Sequence, residues 1–328
     1  MAKSYIQRRR AGKGFVYYFK DDQITDKEQL SRLKSLRIPP AWSDVNVAAS
    51  PNARIQATGM DKAGRLQYIY HPKFKAKQEK EKFERILRFA GALPKMRRLT
   101  REHLALPGLP RQKVLACIVQ LMDKAYFRVG NQVYAKENQS YGLTTLRSKH
   151  TSVRGDEIIF DFIGKSGQPH FKKITDRQLA KIIKQLDELP GHEIFKYRGQ
   201  DGQLHDIRSD DVNAYIKEIM GDEFTAKDFR TWGGTLLATM ELSQTERPHY
   251  IKERKKAVTE CVKKVAQKLG NTPAIARESY IDPRVIKAYM DGDELIQVRK
   301  TVKNMDKKGP LSADELCVLK LLQKSAGR

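Results

Sequence analysis

Four side chains stand in this sequence where a group can be held firmly and still be reached. Arg128 follows the end of a periodic helical segment, Lys165 falls in a hairpin turn, Arg230 lies in the first turns of a capped helix, and Tyr280 sits between two helix starts. In the stretch LGNTPAIARESYIDPRV, Thr272-Pro273 and Asp282-Pro283 each place an N-cap residue before a proline whose fixed φ suits the first helical position. Tyr280 therefore closes one short helix just ahead of the next. A phenol with an ordinary pKa of about 10 is a poor nucleophile at neutral pH unless cations beside it favour the phenolate. Arginine and lysine are the residue types that do so. Taken singly, each group also has a structural reading: a core tyrosine with its hydroxyl bonded, or charges solvated at the surface.

The elements that must position these groups belong to a chain of 328 residues, longer than the usual ceiling for one core, so two domains are expected. Lys plus Arg number 63 against 39 Asp plus Glu, a formal net charge of +24. The excess is spread, with 18 basic against 8 acidic residues in 1–82 and 45 against 31 in the rest. Charge so distributed points to a long polyanion touched by both domains, because neutralising phosphates releases condensed counterions. Other classes are disfavoured. Cys117, Cys261 and Cys317 lie far apart in apolar or helical patterns, as reduced core thiols do. The seven histidines form no metal-ligand spacing, so no metal is expected. FIGKSG resembles the tail of a phosphate loop, but that loop needs glycine where Ile159 stands, so no nucleotide cofactor is expected. No apolar run is long enough to span a bilayer and MAKSYIQRRR has no signal-peptide core, which places the protein in the cytoplasm, away from membranes.

Short strands and turns fill the first 75 or so residues. GFVYYF, VNVAAS, ARIQATGMD and GRLQYIYH are rich in β-branched and aromatic residues, DKAG turns between the last two, and one polar helical segment intervenes. An antiparallel sheet domain is expected over 1–82 and a mainly α-helical domain over 83–328, an α+β chain. A charge-dense helix begins near Lys73. Val114, Leu115, Ile118, Val119, Met122 and Tyr126 repeat at helical spacing up to YFRVGN. LTTLRSKHTSV, EIIFDFIGK and HFKKI read as three antiparallel strands, helices follow at 176–189 and 209–220, and a small hairpin lies at RGQDG between them. Thr225 and Asp228 have capping-box spacing ahead of Arg230, a basic helix covers 250–269, and SADELCVLKLLQ carries its own capping box.

Taken in order, YFRVGNQVYAKENQSYGLTTLRSKH, the FIGK turn, KDFRTWGG and LGNTPAIARESY resemble the signature set of type IB DNA topoisomerases of the compact bacterial and poxvirus type. IPPAWSDV and GMDKAGRLQYIYH resemble that family's amino-terminal domain, so the likeness runs from about Phe15 to Tyr289. It implies the tyrosine recombinase/type IB topoisomerase fold for the second domain. It also implies relaxation of supercoiled duplex DNA without ATP or required metal, through a 3′-phosphotyrosyl intermediate and a free 5′-hydroxyl strand. Tyr280 would be the nucleophile, Arg128 and Arg230 would stabilise the charged transition state, and Lys165 would be the general acid. Asn271 departs from the pattern: other branches carry histidine here, bonded to a phosphate oxygen, and asparagine can donate a hydrogen bond but carry no charge.

Gln67, Tyr68 and Tyr70 would contact DNA from the other side of the duplex, with Tyr68 and Tyr70 on one face of a strand. Tyr134 and Lys149 match as further DNA contacts, Lys149 through phosphate. Two basic domains around one duplex suggest a clamp. A monomer is expected, since one active site suffices and no heptad seam is evident. Two other readings compete. A tyrosine site-specific recombinase shares the chemistry but typically has a His-x-x-Arg motif, whereas KDF precedes Arg230 here. A non-enzymatic architectural DNA-binding protein explains the charge but not the ordered set.

Overall fold

Alternation of side chains builds the first part of the chain. The computed structural model describes residues 5–62, 64–244, 247–292, 294–303 and 309–326. Strands β1 (Tyr5–Ala11), β2 (Gly14–Phe19), β3 (Asp22–Gln23), β4 (Ser43–Ala48), β5 (Ile55–Met60) and β6 (Leu66–Tyr70) form one antiparallel sheet in the order β3-β2-β1-β4-β5-β6. Its inward residues Ile6, Tyr17, Val45, Val47 and Ala57 pack with Leu33 of helix α1 (Lys27–Ser35), which Asp26 caps. The sequence reading passed over β1, because YIQRRRA looks like a solvated basic run. The strand alternates nonetheless: Ile6 is buried, and Arg8 sends its guanidinium to the carbonyls of Ile38, Pro39 and Trp42.

The chain divides into two compact units, Met1–Lys82 and Phe83–Arg328, and the division falls inside helix α2 (Pro72–Leu104). In the second unit α3 (Arg111–Ala125) is apolar almost all round, with every residue from Val114 to Met122 buried, as befits a helix at the centre of a core. Around it lie α4 (Gln132–Asn138), the sheet β7 (Thr151–Arg154), β8 (Glu157–Ile163) and β9 (Pro169–Thr175), then α5 (Arg177–Asp187). The two-stranded β10 (Lys196–Arg198) and β11 (Leu204–Asp206) lead to α6 (Ser209–Met220) and α7 (Ala226–Gln244). Helices α8 (Ile251–Leu269), α9 (Pro273–Ser279), α10 (Pro283–Asp291), α11 (Glu294–Lys303) and α12 (Ala313–Ala326) complete it.

The local signals act as their chemistry requires. Thr272 caps α9, Asp282 caps α10, and Ser312 and Glu315 exchange both capping-box bonds at α12. In the first turn of α7, Asp228 accepts from both the amide and the hydroxyl of Thr225, and also from Arg85 at 2.9 Å, so the start of this helix is tied to α2. The three-strand expectation needs correction at one end. LTTLRSKH forms two 3₁₀ turns, Leu143–Thr145 and Ser148–His150, and β7 begins only at Thr151. Thr145 Oγ bonds the Gly142 backbone in both directions, and the Arg147 amide donates to His150 Nδ1. These local bonds compete with a strand ladder for the same backbone groups. Lys149 therefore projects from a turn. Helix α11 had no counterpart in the sequence reading.

Candidate active site

The C-terminal ends of two helices assemble this site. Helix α3 closes on Tyr126, whose φ of 56° turns the chain sharply, and the carbonyls of Arg128 and Val129 that follow accept from the Leu143 and Thr144 amides. Helix α8 closes on Gly270 at φ 60°, a left-handed cap suited to glycine. Glycine is needed there for a second reason: a Cβ would lie 2.0 Å from the His170 ring.

Free carbonyls at these ends carry the negative pole of each helix, and the cations bind there. Arg230 donates to Tyr126 O at 2.6 Å and Leu269 O at 2.8 Å. Arg128 donates to Gly270 O at 2.9 Å and to Asn271 Oδ1. His170 Nε2 lies 3.4 Å from Arg128 Nη1, and its ring stacks on Phe162 at 5.0 Å. Burial first, then Lys172, Arg128 and Arg230, push the His170 pKa down to about 4, so its neutral ring accepts from Arg128. Burial and the neighbouring Arg230 bring Arg128 down to about 10, leaving both guanidinium groups charged at neutral pH.

Tyr280 ends α9 as its C-cap, with its amide on Ala276 O at 3.0 Å. Arg230 Cζ lies 4.9 Å from its ring centroid. Burial alone would raise the phenol pKa, but Arg230, then Arg128 and Lys227, outweigh it and hold the group below its ordinary value. The backbone around Tyr280 is clasped by α7. Thr235 Oγ donates to Tyr280 O at 3.3 Å and accepts the Asp282 amide at 3.1 Å. Gly234 lets the helix approach, since a Cβ there would sit 2.5 Å from Tyr280 O.

Lys165 is exposed at the tip of the β8–β9 hairpin, in a turn closed by Gly164 and Gln168. It joins Arg128, Arg230, Asn271, Tyr280 and Lys227 in lining one open cavity of about 430 Å³. Six groups separated by up to 152 residues of sequence thus meet in one place. Asn271 Nδ2 is buried without a hydrogen-bond partner, a donor left for an incoming acceptor. Tyr134 lies outside the cavity lining, 36% exposed on α4, and Lys149 is exposed on its 3₁₀ turn. Sequence reasoning missed Lys227, His170, Lys172 and Thr235. Lys227 alone had a signal, standing one helical turn before Thr231 beside Arg230; the others become meaningful only through folding.

In the first unit Tyr68 and Tyr70 are 44% and 43% exposed, which excludes core packing, and their rings stack 6.0 Å apart. Gln67 points to the opposite face of β6, pairing in register with Gly59, and donates to Asp61 at 2.9 Å. The open face also carries Tyr5, Gln7, Asn46 and Arg54 around a shallow cavity of about 490 Å³.

A tyrosine lying among fixed cations, with a lysine on a hairpin beside them, is equipment for phosphoryl transfer. Residues 71–308 match the catalytic core of eukaryotic DNA topoisomerase I, and residues 14–61 match the N-terminal domain of bacterial DNA topoisomerase IB. The chain belongs to the type IB DNA topoisomerases. It is 35% identical over 310 residues to DNA topoisomerase 1B of Acanthamoeba polyphaga mimivirus, covering 92% of both chains. It is 25% identical to the DNA topoisomerase 1B of vaccinia virus (strain Western Reserve), over 82% of this chain and 84% of the viral one. DNA topoisomerase 1 of Mycosarcoma maydis is 22% identical over 75% of this chain but only 27% of the fungal protein. As a type IB topoisomerase the chain is an isomerase acting on DNA, which the recombinase and architectural readings do not describe.

Proposed function

We propose that this type IB topoisomerase relaxes duplex DNA with Tyr280 as nucleophile, and the observation that carries the assignment is Arg128, Arg230, Lys165 and Asn271 lining one cavity with that tyrosine. Tyr280 Oη attacks the scissile phosphorus and loses its proton to solvent. The bond from phosphorus to the 5′-oxygen breaks, leaving a 3′-phosphotyrosyl ester and a 5′-hydroxyl strand. One phosphodiester replaces another, so religation is the same step reversed and needs no nucleotide. Arg128 and Arg230 face the charge that develops on the nonbridging oxygens, already oriented by carbonyls they hold before DNA arrives. Asn271 Nδ2 supplies one further donor. Lys165 protonates the departing 5′-oxygen, a strong base that would otherwise leave as a costly ion. The hairpin turn gives that ammonium reach.

The open sheet face of the first unit, with Tyr68, Tyr70 and Arg54, supports a second contact with the duplex, by stacking, hydroxyl and phosphate interactions. Gln67 reaches DNA only if it exchanges its bond to Asp61. The N-terminal match favours a bacterial-type enzyme; that it works as a monomer on nucleoid DNA in the cytoplasm is part of the same proposal. The deciding experiment is plasmid relaxation without ATP in excess chelator, run with denaturing gels that map adduct polarity. Wild type relaxes the plasmid and leaves a 3′-linked adduct, while Tyr280→Phe does neither and still binds duplex. A 3′-linked adduct in Tyr280→Phe would move the nucleophile elsewhere, with Tyr289 first to examine, although it is 1% exposed.

A further inference from the structure

Lys172, seven residues beyond Lys165 on the returning strand of the same hairpin, does not line the catalytic cavity. Its ammonium donates to Ala125 O at 2.8 Å and to Lys268 O at 3.0 Å, the last turns of α3 and α8. The next carbonyls along both helices hold the arginines. On α8, Lys268, Leu269 and Gly270 accept in order from Lys172, Arg230 and Arg128. On α3, Ala125 and Tyr126 accept from Lys172 and Arg230. Three cations from three elements are laid in register across two helix ends.

We propose that Lys172 is a positioning residue for DNA cleavage: it joins the two helix ends that orient Arg128 and Arg230 to the strand that carries the lysine turn. The proposal rests on Tyr280 chemistry at this cavity and adds a residue that touches no reacting atom. The arrangement has a thermodynamic signature. Burial, then Arg230 and Arg128, lower the Lys172 pKa from 10.5 to about 8. Arg230 of α7 and Arg128 after α3 are the charges facing it, with neutral His170 on its own strand, while α8 presents the Lys268 carbonyl. A folded-state pKa below the unfolded value means the unfolded chain binds the extra proton between about pH 8 and 10.5, so stability rises with pH through that window. At neutral pH that gain is absent, and the charged ammonium holds the two helix-end carbonyls.

Lys172→Met keeps the aliphatic stem and removes the charge. Its duplex affinity should stay within about twofold, while single-turnover cleavage falls about tenfold or more, the loss expected when catalytic donors are misplaced. Lys172→Arg restores a permanent charge and should recover much of that rate. The two variants also separate on pH. In wild type the second-order cleavage rate at subsaturating DNA, which reports the free enzyme, should fall as pH rises through about 8. Lys172→Arg should lack that limb while keeping Lys165 and Tyr280 unchanged. Cleavage by Lys172→Met within twofold of wild type across the pH range would overturn the proposal. So would parallel losses of melting temperature and rate in both variants, which mark ordinary packing. Tyr280→Phe is run in the same assay: an adduct there would sink the assignment of the nucleophile, not the role of Lys172.

Discussion

At the scale of single residues, the site separates groups that carry charge from the one that must carry a proton. Arg128 and Arg230 are locked to carbonyls, whereas Lys165 is exposed on a turn. If Lys165 protonates the 5′-oxygen, Lys165→Ala should cleave ordinary DNA slowly and recover markedly when a bridging 5′-sulfur replaces that oxygen, because a thiolate leaves without help. Equal slowing on both substrates, read by single-turnover cleavage, would move the acid elsewhere, with Lys149 next. Asn271 does two things here: Oδ1 holds Arg128 and buried Nδ2 is free. Asn271→Ala should slow cleavage about 100-fold, as loss of a preorganised oxyanion donor does. Asn271→His, able to donate again, should keep most of the rate. Should the two variants cleave alike, the donor role is wrong.

At the scale of elements, the tyrosine is aimed by helix α7. Gly234 permits close approach and Thr235 bonds the backbone on both sides of Tyr280. Thr235→Val has almost the same shape but leaves the Asp282 amide and the Tyr280 carbonyl unpaired in a buried place. The expected cost is about 1–3 kcal/mol of stability, together with slower cleavage and little change in duplex affinity. Thermal melting and single-turnover rates check both halves, and an unchanged cleavage rate would show that the caps alone suffice to place the tyrosine. The caps themselves were plain in the sequence, since Thr-Pro and Asp-Pro act through their own backbone. The clasp was hidden, because nothing in TWGGTLLAT says which chain segment will lie against the glycines.

At the scale of the whole molecule, charge governs encounter and folding governs chemistry. A net charge of +24, shared by both units, should make duplex affinity steeply dependent on salt. If 6–10 phosphates are neutralised, affinity should drop by about 10³–10⁵ between 50 and 200 mM salt. A binding titration across that range tests this, and a flat response would mean that the basic surface does not face the duplex.

The ordered motifs, the charge, the strand and helix types and the caps around Tyr280 could all be read without a fold, because each depends on neighbours within a few residues of sequence. The same reading missed β1, whose arginines hide an alternating strand, and extended β7 into turns that local hydrogen bonds prefer. It placed Gln67 beside Tyr68 and Tyr70 as one contact set, although a period of two must send Gln67 to the other face. The deepest layer of the site was not legible at all. His170 against two glycines, Thr235 against Tyr280, and Lys172 across two helix ends are relations between segments far apart in sequence. Carbonyls become free ligands for cations only where helices stop, and which cation reaches them depends on how those ends are packed together.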